Sequence, residues 1–149
     1  MEFDDKVKLG IIVDVEKESR YICDIIKQKG REILHNYSIT PPQFAAMQWL
    51  FEAGEMTIGE LSGRMFLACS TTTDLVDRLE KNQFVQRIKD ENDRRVVRIH
   101  LLDSGKKIMN EILEQRQQYM RQVLINFTYD EIETLKKLMT KFHQGMLEE

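Results

Sequence analysis

A mainly α-helical protein with one small β-hairpin is the fold class this sequence predicts, and three observations predict it. Helix formers such as Leu, Glu, Lys, Gln and Met are frequent while Gly and Pro number only 7 and 2, so long helices and few turns are expected. Apolar residues make up 42% of the 149 residues, enough for the core of a single domain, and they recur at helical spacing over most of the chain. Only two short segments, residues 84–89 and 96–102, have strand composition, and a polar turn parts them.

The first element is a long helix from about Lys6 to His35, with Val15, Ile22, Ile26 and Ile33 forming a stripe that Ile11, Ile12, Ile25 and Leu34 widen. The run Thr40-Pro41-Pro42-Gln43 then announces a second helix. Thr40 is placed to cap, Pro41 sits at the tolerated first helical position, and Gln43 completes a capping box. This helix should run to about Ala53 and stop at Gly54. Its Phe44, Met47, Trp49, Leu50 and Phe51 are too apolar for an exposed helix, which makes it the expected centre of the core.

Thr57 and Glu60 repeat the capping logic and open a third helix that buries Ile58, Leu61 and Met65. After a turn at 66–68, a fourth helix is expected to begin near Ser70 or Thr71, with Thr71 and Asp74 as a capping pair. It should run to about Lys81 with Leu75, Val76 and Leu79 inward. Ser70, Thr71 and Thr73 then stand at its N-terminus, where short hydroxyls and free backbone N–H groups can approach base edges and phosphates. Hydroxyls also gather at helix starts merely to cap them, so this helix alone does not decide the matter.

The ribbon does. Two helices followed by a hairpin are the order of parts of a winged helix, which sets its second helix in a DNA major groove and its wing in the groove beside it. The turn at 90–95 ends in Asp93, Arg94 and Arg95, and the narrow, electronegative minor groove of A·T-rich DNA attracts arginine. Asp93 is expected to brace an arginine by an ion pair. The overall charge of −3 argues against a nucleic-acid partner, but its distribution does not: nine cations face five acids between Arg78 and Lys107, and the rest of the chain is acidic.

The segments Leu75-Val76-Asp77-Arg78-Leu79-Glu80, Phe84-Val85-Gln86-Arg87, Asp93-Arg94-Arg95 and Leu101-Leu102-Asp103-Ser104-Gly105 resemble the multiple antibiotic resistance regulator (MarR) family over nearly the whole chain. The resemblance implies a homodimeric winged-helix transcription factor that binds a pseudo-palindromic operator and represses nearby genes. It also implies base- and phosphate-facing roles for Ser70, Thr71 and Thr73, with Arg78 on the same helix, a minor-groove role for Arg95 beside Arg94, and a bracing role for Asp93. The chain departs from the family pattern at Gln83, where Gly is usual, at Asp74, often polar or basic, and at Leu102, commonly Thr. Asn82 is then expected to take the left-handed cap conformation, and Asp103 or Ser104 to cap the next helix.

That helix runs from Asp103 to about Asn126 with apolar Ile108, Ile112, Leu113, Met120, Val123 and Leu124. A last helix from Asp130 carries Ile132, Leu135, Leu138, Met139, Phe142 and Met146. In a monomer their stripes would face water, so residues 6–35 and 104–147 are read as dimerisation helices around a DNA-binding region at 41–103, the whole chain forming one domain.

Other chemistries find little support. His35, His100 and His143 are far apart and accompany no nucleophile motif, so no enzyme and no cofactor are expected. No metal-ligand spacing appears. The start of the chain is acidic and no apolar run approaches the roughly 18 residues that span a bilayer, which places the protein in the cytoplasm and off the membrane. Cys23 is read as a buried packing residue. Cys69, at the mouth of the fourth helix, is the better candidate for an oxidative signal, because a helix N-terminus favours the thiolate. An apolar cleft for a small-molecule effector, phenolic by family resemblance, is assigned to Tyr37, Phe44, Met47, Trp49, Met65 and Phe66. The competing reading is a winged-helix module for protein association without DNA binding.

Overall fold

The computed structural model describes residues 5–148. Six helices and three short strands follow in order: α1 (Asp5–His35), α2 (Pro41–Ala53), β1 (Met56–Thr57), α3 (Ile58–Met65), α4 (Cys69–Lys81), β2 (Val85–Lys89), β3 (Val97–Leu101), α5 (Asp103–Val123) and α6 (Tyr129–Leu147). The expected fold class is therefore found, mostly helical with a small antiparallel sheet. The chain divides into two compact units, the first ending at Leu113 and the second beginning at Glu114.

Helix α2 has the bounds its caps predict. The Thr40 hydroxyl accepts from the Gln43 amide, the Gln43 side chain accepts from the Thr40 amide, and Gly54 closes the far end at φ +85°. Phe44, Ala46, Met47 and Leu50 of this helix are buried with Leu61, Val76, Leu79, Val85, Ile99, Met109 and Ile112 in one apolar core. The recognition module is thus seated on α2. Its sheet has the order β1-β3-β2, with Arg87 opposite Ile99 and Thr57 opposite Arg98.

Several local expectations fail for identifiable reasons. Strand β1 was not foreseen, since two residues carry no pattern, and Thr57, pairing with Arg98, forms only the first half of its capping box. Helix α4 starts at Cys69 with Ala68 as an N-cap that offers no side chain, so the Thr71–Asp74 capping pair does not form. Thr72 and Thr73 instead turn back, their hydroxyls donating to the carbonyls of Ala68 and Cys69 at 3.1 and 2.8 Å. The left-handed residue after α4 is Gln83 itself at φ +63°, not Asn82, which sits at φ −81°. Ser104 does not cap α5. Its hydroxyl donates to the Gln83 carbonyl, tying this turn to the start of α5.

Gly105 explains why a glycine stands just inside α5. A Cβ there would lie 2.5 Å from the Phe84 carbonyl oxygen and 2.6 Å from the Leu101 side chain. The close approach lets the Leu102 amide donate to Phe84 O at 2.9 Å, closing the hairpin at its root. Beyond this module, α1 buries only Ile33 and Leu34, and α6 buries no residue. The stripes read from the sequence are real but face solvent in the single chain: Val15 is 46% exposed, Ile22 50% and Leu138 60%.

Candidate nucleic-acid interface

Helix α4 buries Thr72, Leu75, Val76 and Leu79, and this spacing turns Ser70, Thr71, Asp74, Asp77 and Arg78 outward. Ser70 and Thr71 lie in the first turn, whose amides receive no side-chain acceptor, so the helix start presents both hydroxyls and N–H donors. Thr73 differs from them. It is half-buried and its hydroxyl proton is committed to Cys69 O, which leaves it lone pairs to offer a partner. Arg78 is exposed two turns further along, beyond the exposed carboxylate of Asp74.

The wing is ordered from within. One carboxylate oxygen of Asp90 accepts from the amides of Asn92 and Asp93 at 2.8 and 3.2 Å, and the other accepts from Arg98 Nε at 3.3 Å. The two amide bonds, followed by the Arg98 guanidinium, hold the Asp90 carboxyl below its ordinary pKa. Backbone bonds from Asp90 N to Val96 O and from Val96 N to Asp93 O close the loop. Asp93 Oδ1 then accepts both the amide and Nε of Arg95, at 3.1 and 3.2 Å, as the sequence suggested. Arg94 is exposed, and the Arg95 side chain is 91% exposed while held at one nitrogen.

Charge counting from the sequence overstated the free cations. Arg87, in β2, is clamped by α4: its guanidinium meets Asp77 and, at 2.8 Å, Glu80, while its backbone N–H donates to the other Glu80 oxygen at 2.9 Å. The Asp77 and Glu80 carboxylates outweigh the desolvation of this side chain and raise its pKa. Arg87 is therefore the rivet between recognition helix and wing. Sequence reasoning missed it because its partners, 7 and 10 residues away, lie on a different element, and only the packing of β2 on α4 brings them together. Arg98 is likewise committed to Asp90.

The residues assigned to an effector cleft do not share one environment. Phe44 and Met47 belong to the buried core, Tyr37, Trp49 and Met65 are partly buried against it, and Arg64 lies 5.3 Å from the Trp49 ring centroid. Phe66 stands apart from the other five in the single chain. It caps α3 at φ 55°, ψ 40°, and is 94% exposed, because the turn into α4 holds its Cα at the surface. Cys23 is exposed rather than buried, since α1 buries only Ile33 and Leu34 near its end, and Cys69 is exposed at the start of α4. His100 Nδ1 lies 2.9 Å from Glu55. Among the described residues no three His, Cys, Asp or Glu side chains group to hold a metal ion, and no helix is long and apolar enough to cross a membrane.

Comparison with known proteins places this geometry in context. Residues 39–97 match the model of the MarR family. The chain is 57% identical over 135 residues to the HTH-type transcriptional regulator YsmB of Bacillus subtilis strain 168, covering 91% of this chain and 92% of that protein. It is 25% identical to the HTH-type transcriptional repressor MdtR of the same organism, over 91% of this chain and 87% of the relative. Among solved structures, a MarR family protein from Bacillus stearothermophilus superposes with a TM-score of 0.88 at 49% identity, covering 98% of this chain and 99% of that one.

Proposed function

Because this chain belongs to the MarR family of DNA-binding transcriptional regulators, we propose that it acts in the cytoplasm as a homodimeric repressor of a pseudo-palindromic operator. The observation that carries the reading is the pairing, within one compact unit, of a hydroxyl-bearing helix start at Ser70 and Thr71 with an exposed, carboxylate-held Arg95 at the wing tip. Helix α4 would enter the major groove and Arg95 the adjacent minor groove, with Arg94, Arg78 and the backbone amides of α4 on phosphates.

Residues 41–103 form the DNA-binding region of this proposal, and residues 6–35 and 104–147 the dimerisation helices. A palindrome needs two recognition helices about 34 Å apart, which one chain cannot supply. The apolar faces of α1 and α6, and on α6 an open groove of about 500 Å³ lined by Leu138, Phe142 and Met146, favour a second copy of the chain as their cover.

Release from DNA would follow from a small phenolic molecule at Tyr37, Trp49 and Met65 that binds the non-operator state more tightly, or from oxidation of exposed Cys69 beside the helix start. The test is a mobility shift with duplexes from the gene's own upstream region, repeated across salt concentrations. Sequence-selective binding that weakens steeply with salt is expected. Binding that ignores both sequence and salt would instead favour a winged helix used for protein association.

A further inference from the structure

Phe66 combines two unfavourable features that its backbone duty does not require. Its amide closes α3 by donating to Gly63 O, with Leu67 N donating to Ser62 O, and this turn asks only for a residue in the left-handed region. Gly adopts that conformation freely and Asn tolerates it, whereas a bulky aromatic disfavours it. Phe66 is also the most exposed of the described large hydrophobic residues, at 94%. Neither the fold nor the core gains from it. Strain and apolar exposure together at one position point outward, to a contact made only in a complex.

Its place in the fold says which complex. Phe66 stands three residues before the first residue of α4, on the turn that delivers Ser70 and Thr71, and Leu67 beside it is also exposed. Those hydroxyls read polar edges, and beside them the small methyl of Thr71 offers little apolar surface next to a phenyl ring. We infer that Phe66 is a DNA-contacting residue whose ring packs on an apolar edge of the operator, a thymine methyl or a deoxyribose face at the groove margin. The inference rests on the DNA-binding reading above and deepens it. In the free protein both surfaces are hydrated. On binding they leave water together, so the contact favours the complex while the strain burdens the fold in either state.

The wild-type chain first selects a duplex from a random-sequence library, and that duplex becomes the probe. Affinity and melting temperature are then measured for wild type, Phe66→Gly and Phe66→Asn. Both variants should melt no lower than wild type and bind roughly fourfold more weakly per half-site, the effect of about one buried methylene. The same duplex with deoxyuridine in place of thymidine separates the two apolar edges. If the ring meets a thymine methyl, wild type loses affinity on this duplex and the gap to the variants closes. If it meets deoxyribose, the gap persists. Equal affinity of all three proteins on the selected duplex overturns the inference, as does a clear fall in melting temperature of both variants, which would show the ring to be packed in the fold. Failure of wild type to select any duplex would instead overturn the DNA-binding reading.

Discussion

Arg95 projects almost wholly into solvent, yet Asp93 holds its Nε and its amide, so part of the rotamer entropy of a long side chain is already spent before DNA arrives. Arg95→Ala is expected to weaken operator affinity about ten- to a hundredfold, roughly 1–3 kcal/mol, while sedimentation shows an unchanged assembly. Unaltered affinity would mean that the wing does not reach the groove. Gly105 is the converse case, a residue whose importance lies in what it omits. Gly105→Ala drives a methyl against Phe84 O and Leu101, and should lower stability by about 1–3 kcal/mol in a thermal melt. Substitution without loss would show that α5 can back away from the hairpin root. That residue's glycine was legible in the sequence, whereas the carbonyl it accommodates, 21 positions earlier, was not.

At the scale of elements, the rivet through Arg87 joins α4 to β2 and so ties the recognition helix to the wing. With a side chain only 27% exposed and two carboxylates on it, Arg87 contributes to the fold rather than to phosphate binding. Arg87→Gln should therefore reduce stability by about 1–3 kcal/mol and weaken operator binding, yet leave the slope of affinity against salt as in wild type. A phosphate-contacting arginine would lower that slope by about one unit when removed. A reduced slope would thus reassign Arg87 to the interface. Elements whose ends are set by neighbours in the chain, such as α2 between Thr40 and Gly54, were readable residue by residue. The start of α4 was not, because its N-cap is Ala68, which has no side-chain acceptor to mark it, and the helix begins at Cys69 before the hydroxyls that resemble a cap.

For the whole molecule, the decisive fact is that α1 and α6 each leave an apolar stripe in water when only one chain is present. On the proposed homodimer, replacing Ile22 and Leu138 together by Asp should give a monomer in sedimentation velocity and abolish operator binding at concentrations where wild type is saturated. A variant that stays dimeric would place the interface elsewhere. The sequence by itself determined the helical class, the order of parts, the hairpin, the Asp93–Arg95 pair and the family, because these rest on local periodicity, capping chemistry and motif spacing. Only the tertiary structure decided that Gln83 takes the left-handed turn, that Arg87 is withdrawn from the basic face, that Phe66 stands outside the core and that Cys23 is exposed. Each of these depends on which distant residue comes to lie beside the position, and hydrophobic patterning records that a side chain could be buried without recording whether anything arrives to bury it.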